Sequence, residues 1–118
     1  DPEARRQYQT EYARRRYHSD DAFRSGIQRR TRARNIEIRE QKKALVAAFK
    51  AGGCSLCPER EPCALAAHHR DPSQKLFAVG DRSRMRDTTV EKFAAELAKC
   101  ICLCHNCHSK LHAGILSL

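Results

Sequence analysis

Two Cys-x-x-Cys pairs constrain the fold of this 118-residue chain more than any other feature. Cys54 and Cys57 form the first pair, and Cys104 and Cys107 form the second, with 46 residues between the pairs. Each pair places two thiolates on one tight turn, and two such turns supply the four sulfurs of a tetrahedral zinc site. One pair alone would also suit a redox dithiol. The two together predict a structural zinc ion that ties the beginning of a small module to its end.

Three further cysteines, Cys63, Cys100 and Cys102, lie outside this assignment. Seven cysteines are an odd number, so a fully paired disulfide scaffold is excluded. We expect the spare thiols to be buried as small apolar side chains, with Cys102 as an alternative zinc ligand to Cys104. Cys-x-x-Cys spacing favours metal binding over disulfides, and therefore a reducing, intracellular compartment such as the cytoplasm or the nucleoid.

The charge of the chain is concentrated in its first half. Residues 1 to 50 hold 14 basic and 7 acidic side chains, a balance of +7 out of the net +9. No apolar run approaches the roughly 20 residues that span a bilayer, which excludes an integral membrane protein. No membrane partner is expected. A small, basic domain rich in cysteine and histidine points to nucleic acid, DNA or RNA, as its partner.

Residues 1 to 51 are expected to form a basic helical arm. Pro2 suits a first helical turn, Ser19 is the expected N-cap of a second helix, and Gly52 or Gly53 is expected to end that helix. A segment of this charge attracts phosphate through counterion release, although a merely solvated surface or a protein-docking element has the same composition. The expected nucleic-acid contacts are Arg14, Arg15, Arg29, Arg30, Arg32 and Arg34.

Four histidines flank the cysteine pairs in a pattern that favours a second metal. His68 and His69 end a short apolar stretch, and adjacent residues on a strand point to opposite faces, so one ring can face a metal and the other a substrate. His108 and His112 stand at i and i+4, which places both imidazoles on one face of a helix.

Residues 71 to 87 are expected to be a loop that faces substrate or a mobile surface loop. Thr88-x-x-Glu91 then predicts a capping box. The helix that follows carries Phe93 and Leu97 on its packing face.

Residues 53 to 113 resemble the HNH endonuclease family, also called the ββα-metal nucleases, of the phage or mobile-element type. The resemblance rests on Cys54-x-x-Cys57, on His68-His69-Arg70-Asp71-Pro72-x-x-Lys75, and on the closing run from Glu96-Leu97-Ala98-Lys99-Cys100 to His112. It implies an α+β fold, in which long basic helices precede a zinc-stabilised ββα-metal module over residues 52 to 118.

The resemblance also implies an activity, the metal-dependent hydrolysis of DNA phosphodiester bonds, by nicking or by cutting both strands. Carried over by position, His68 and His108 look like catalytic-metal ligands, His112 looks like a further ligand, and His69 looks like the general base. The catalytic metal is Mg²⁺, Mn²⁺, Ni²⁺ or Zn²⁺, and imidazole ligands suit the last three better than Mg²⁺.

One position departs from the family pattern, because Lys99 stands where the family has its middle Asn. We expect Lys99, Arg70 or Lys75 to contact the scissile phosphate, against the alternative of solvated surface cations. What orients His69 is left open. The alternative function is a non-catalytic zinc module that binds nucleic acid or a ribonucleoprotein, and a homodimer or a larger nucleic-acid-processing assembly is possible in either case.

Overall fold

The computed structural model describes residues Asp1–Leu118 and has a mixed α+β architecture. The prediction of long N-terminal helices followed by a small mixed module is therefore confirmed. The helices are α1 (Pro2–Ser19), α2 (Asp21–Lys50), α3 (Arg82–Asp87), α4 (Val90–Leu97) and α5 (His105–His112), and the strands are β1 (Leu65–His69) and β2 (Cys100–Cys104). Two short 3₁₀ turns lie at Pro62–Ala64 and Pro72–Gln74.

The chain divides into two compact units, Asp1–Ile36 and Glu37–Leu118. This boundary lies earlier than the one that composition suggested at Gly52 and Gly53, because the last part of α2 packs in the second unit. Leu45, Val46 and Phe49 pack against the core clusters of this unit, and Lys42 adds polar contacts. Lys42 is fully buried, and its ammonium donates to the carbonyl oxygens of Met85, at 2.6 Å, and Thr88. These carbonyl groups lie at the C-terminal end of α3. The last carbonyl oxygens of a helix have no partner within the helix, and the helix dipole favours a cation near them.

The first unit consists of helix without a buried core. None of its residues is buried, and its six expected nucleic-acid contacts, Arg14, Arg15, Arg29, Arg30, Arg32 and Arg34, are all exposed. The expectation that Ser19 caps the second helix is wrong, because Asp20 does so by accepting from the Phe23 amide at 3.0 Å. The Ser19 hydroxyl instead donates back to the Arg15 carbonyl. Ser and Asp are equally good N-caps, so the sequence alone does not show whether Ser19 or its neighbour Asp20 caps the helix.

The second unit is built on an antiparallel pair of strands. In its register Leu65 lies opposite Cys104 and His69 lies opposite Cys100. One core cluster, around Leu65 and Leu103, surrounds the cysteine pairs, and a second, around Phe93 and Leu97, lies under α4.

The spare cysteines do not share one environment. Cys100 and Cys102 are buried, as expected, but Cys63 is exposed, so its expected burial is wrong. Cys63 follows Pro62 in a surface 3₁₀ turn and not in a strand.

Two further local predictions are corrected. Residues 71 to 87 contain α3 and a 3₁₀ turn, although a loop was expected. The N-cap of α4 is Thr89, not Thr88, and its hydroxyl accepts from the Lys92 amide at 3.2 Å.

Candidate metal centres

The structure brings the four predicted zinc ligands, Cys54, Cys57, Cys104 and Cys107, into one cluster. Their sulfur atoms all lie within 4.8 Å of one another. The Sγ atoms of Cys57 and Cys104, one from each pair, are 3.5 Å apart. Four thiols so close together are suited to one tetrahedral metal ion such as zinc.

Backbone geometry holds the first knuckle in place. Gly53 has a φ of +77°, and a Cβ there would lie 2.8 Å from the Glu59 carbonyl oxygen. The Cys54 amide donates to that same oxygen at 2.8 Å, and the Ser55 amide donates to the Cys102 carbonyl at 2.9 Å. The knuckle is therefore closed on itself and attached to β2.

The second knuckle coincides with the beginning of α5. Cys104 is the N-cap of this helix, and its sulfur accepts from the Cys107 amide at 3.3 Å. The Leu56 amide approaches the Cys54 sulfur in the same way at 3.5 Å. Amide hydrogen bonds of this kind stabilise thiolates over thiols.

The ionisation of the cluster also fits a bound cation. Burial opposes ionisation of Cys54, but hydrogen bonds to its sulfur lower the pKa to about 6. Burial and hydrogen bonds with the neighbouring thiols raise the pKa of Cys107 to about 12. One thiolate therefore forms readily, whereas four together need a positive charge between them.

A second cluster contains the three histidines that the sequence identified as metal ligands. His68 comes from β1, and His108 and His112 come from adjacent turns of α5. Their ring centroids are 4.6 to 5.3 Å apart, and the Nε2 atoms of His108 and His112 are 3.0 Å apart. One nitrogen from each ring lies within 4.8 Å of the others.

Two histidines of the cluster, His68 and His108, have pKa values lowered by their surroundings, which favours the neutral form that binds metal. Burial lowers the pKa of His68, and the neighbouring imidazoles of His108 and His112 lower it further. Burial and His112 lower the pKa of His108 in the same direction. Three neutral imidazoles with converging nitrogens suit a divalent transition metal.

His69 lies on the opposite face of β1 and makes a different set of contacts. Its Nε2 atom is 2.8 Å from Oε1 of Glu96, in α4. His69 is 8% exposed and Glu96 is 1% exposed, so the pair is almost free of solvent. The two adjacent histidines of one strand thus have different neighbours, as strand geometry predicts.

Glu96 is the site residue that sequence reasoning missed. Its carboxylate accepts from the Leu76 amide at 2.9 Å and from the Lys99 ammonium at 2.8 Å, in addition to its contact with His69. Burial alone would raise the pKa of Glu96, but the hydrogen bonds from Lys99, Leu76 and His69 lower it to about 2. The sequence did contain a sign of its burial. Glu96 lies three residues after Phe93, which places its carboxylate on the packing face of an amphipathic helix.

The predicted phosphate contacts occupy different positions. The Lys99 ammonium binds the Glu96 carboxylate and the Gln74 carbonyl, so its first partner is the carboxylate that holds His69. Arg70 follows His69 directly and is exposed, and Lys75 is exposed after the Pro72–Gln74 turn.

Comparison of the chain with protein-family models, with curated proteins and with solved structures gives no match. The two clusters and the pair of His69 with Glu96 are the features of the structure that bear on function. None of its helices combines the length and the apolar character that crossing a bilayer requires.

Proposed function

We propose that this chain is a metal-dependent endonuclease that hydrolyses DNA phosphodiester bonds, as its resemblance to the HNH family implies. The observation that carries the proposal is the pairing of a three-histidine cluster with His69, the next residue of the same strand, held by a buried carboxylate. The proposed roles are metal binding for His68, His108 and His112, and general-base catalysis for His69.

The residues of the histidine cluster fit a catalytic metal. Three neutral imidazoles leave the ion's charge undiminished and occupy only part of the coordination sphere of a divalent cation. Such a cation, when bound there, supplies Lewis acidity to the phosphate oxygens and to the leaving 3′ oxygen.

Glu96 sets the tautomer of His69. A carboxylate whose pKa is about 2 is ionised at neutral pH and accepts hydrogen bonds only. The proton of a neutral His69 ring is therefore expected on Nε2, facing Glu96, and the lone pair on Nδ1. In this tautomer Nδ1 takes the proton from an attacking water, and Glu96 stabilises the resulting imidazolium.

Basic residues account for the proposed grip on nucleic acid. Arg70 and Lys75 are exposed close in sequence to His69, and the exposed arginines of α1 and α2 offer phosphate contacts without base specificity. Lys99 is proposed to act through Glu96, because its ammonium is bound to that carboxylate.

The burial of His69 favours a second candidate, a non-catalytic module that binds nucleic acid or a ribonucleoprotein. At 8% exposure, with its Nε2 already paired, His69 has the surroundings of a structural histidine as well as those of a base. In this case the basic helices carry the function and the two clusters only stabilise the fold.

Nicking of supercoiled plasmid in Mn²⁺ or Ni²⁺ separates the two candidates. We expect the wild-type chain to nick and His69→Ala to lose at least about 100-fold in rate, the usual contribution of a general base. His105→Ala is the matched control, because His105 is exposed on α5 outside the metal cluster. Intact plasmid across several metals would leave the non-catalytic candidate, and equal nicking by His69→Ala would refute the general-base role of His69.

A further inference from the structure

A groove of about 830 Å³ lies in the second compact unit, away from the residues assigned to either cluster. Its walls are the last turns of α2 on one side and α3 with the preceding loop on the other, and β1 contributes Leu65, Ala66 and Ala67. Apolar side chains that contribute to its lining include Val46, Phe49, Val79 and Met85. The groove takes no part in the proposed hydrolysis.

The rim of the groove is strongly basic. Its charged lining residues are all cations, namely Arg39, Lys43, Lys50, Arg82 and Arg86. Lys43 and Arg86 pair with carboxylates on their own helices, those of Glu40 and Asp87. Five cations less two carboxylates leave three positive charges, so the groove is complementary to a negatively charged occupant.

The β1 strand offers unpaired backbone groups at the groove around Ala67, whereas the N–H of Leu65 donates to the Pro62 carbonyl. β2 is its only neighbour in the sheet. The Cys102 carbonyl points away from β1, since it accepts from the Ser55 amide. In an antiparallel ladder, two directly opposite residues either both point their N–H and C=O groups at each other or both point them away from the partner strand. Ala67, opposite Cys102, therefore directs its N–H and C=O outward, where no other strand pairs with them.

These three features identify the kind of occupant. Phosphates need cations but gain nothing from an apolar lining or a strand edge, whereas an extended peptide uses all three. We infer that the groove binds an extended, acidic segment of a partner protein, which adds to β1 as a third strand. Its carboxylates meet the basic rim and its apolar side chains, alternating with them, contact the apolar lining.

The test uses a fluorescein-labelled peptide, four Val-Glu repeats, and the full zinc-loaded chain in a fluorescence anisotropy titration. We expect saturable binding below 1 mM, about tenfold weaker binding by Arg39→Glu/Arg82→Glu, and no binding of a Val-Lys peptide. The control is Arg29→Glu/Arg30→Glu, which changes the charge equally outside the groove. Zinc content and circular dichroism establish that each variant is folded.

A second variant tests the strand edge. Ala67→Pro removes one outward N–H and leaves the pairing with β2 intact, since proline is tolerated on a free edge. We expect it to weaken peptide binding, and we expect the peptide to slow hydrogen exchange at the Ala67 amide in the wild-type chain.

Three results would overturn the inference. No binding at 1 mM excludes an acidic extended segment as the occupant. Equal losses of peptide affinity in Arg29→Glu/Arg30→Glu and in Arg39→Glu/Arg82→Glu would mean that the peptide is attracted by charge alone and not by the groove. Loss of binding to a DNA oligonucleotide, rather than to the peptide, in Arg39→Glu/Arg82→Glu would mean that the groove is a nucleic-acid surface.

Discussion

Glu96→Gln removes one buried negative charge and leaves the shape of the side chain unchanged. The carboxylate is 1% exposed and accepts from His69, Leu76 and Lys99 at 2.8 to 2.9 Å. Gln retains one acceptor oxygen but loses the charge that binds the Lys99 ammonium. Lys99 is 31% exposed in this pair, so water can hydrate it in the variant and a stranded buried charge is avoided.

The lowered pKa of Glu96 gives the size of the effect. A fall from 4.5 to about 2 means that the folded state favours the ionised carboxylate, and at 1.36 kcal/mol per pKa unit this is about 3 kcal/mol. Because the folded pKa lies below the unfolded one, this stabilisation is complete above pH 4.5 and is lost as the pH falls towards 2. Gln resembles the protonated acid, so the variant should be less stable by about 3 kcal/mol at pH 7.

Urea unfolding of the zinc-loaded proteins measures this difference. Glu91→Gln is the matched control, because Glu91 is exposed in the first turn of the same helix. At pH 7 we expect the control to differ from wild type by less than about 0.5 kcal/mol. A loss below about 1 kcal/mol for Glu96→Gln, or an equal loss in both variants, would refute the reasoning.

Three further predictions concern the knuckles and the helical arm. Cys54→Ser should lose one equivalent of zinc by metal analysis, whereas Cys63→Ser, which changes an exposed thiol, should retain it. Gly53→Ala should cost about 1–3 kcal/mol in urea unfolding because of its positive φ and close backbone contact, whereas Gly52→Ala, with no neighbour within 4 Å, should cost much less. Deletion of residues 1 to 36, which leaves the second compact unit whole, should weaken DNA binding and flatten its salt dependence, and an unchanged slope would contradict a DNA-binding arm.

The sequence predicted those parts of the site that depend on local spacing. Two Cys-x-x-Cys turns and an i, i+4 histidine pair fix the relative directions of their side chains before any tertiary contact forms. The opposite directions of His68 and His69 were predicted in the same way, because adjacent residues on a strand point to opposite faces.

The parts that sequence reasoning missed depend on packing between distant segments. Glu96 and His69 are 27 residues apart, and only the docking of α4 against β1 joins them. Lys42 was counted with the basic arm, yet its burial depends on carbonyl oxygens more than 40 residues away. In neither case does residue type alone separate a buried, paired charge from a solvated one.

We expect the geometry of the histidine cluster to depend on the cysteine cluster. The cysteine cluster fixes the beginning of α5, because Cys104 caps this helix and Cys107 lies within it. It also adjoins β1, because Leu65 lies opposite Cys104 in the sheet. The direction of His108 and His112 then follows from helix geometry, and that of His68 from strand register. No histidine contributes to the cysteine cluster. Removal of zinc should therefore abolish binding of Ni²⁺ to the three histidines, whereas His108→Ala should lose Ni²⁺ and keep zinc; Ni²⁺ binding that survives zinc removal would disprove this order.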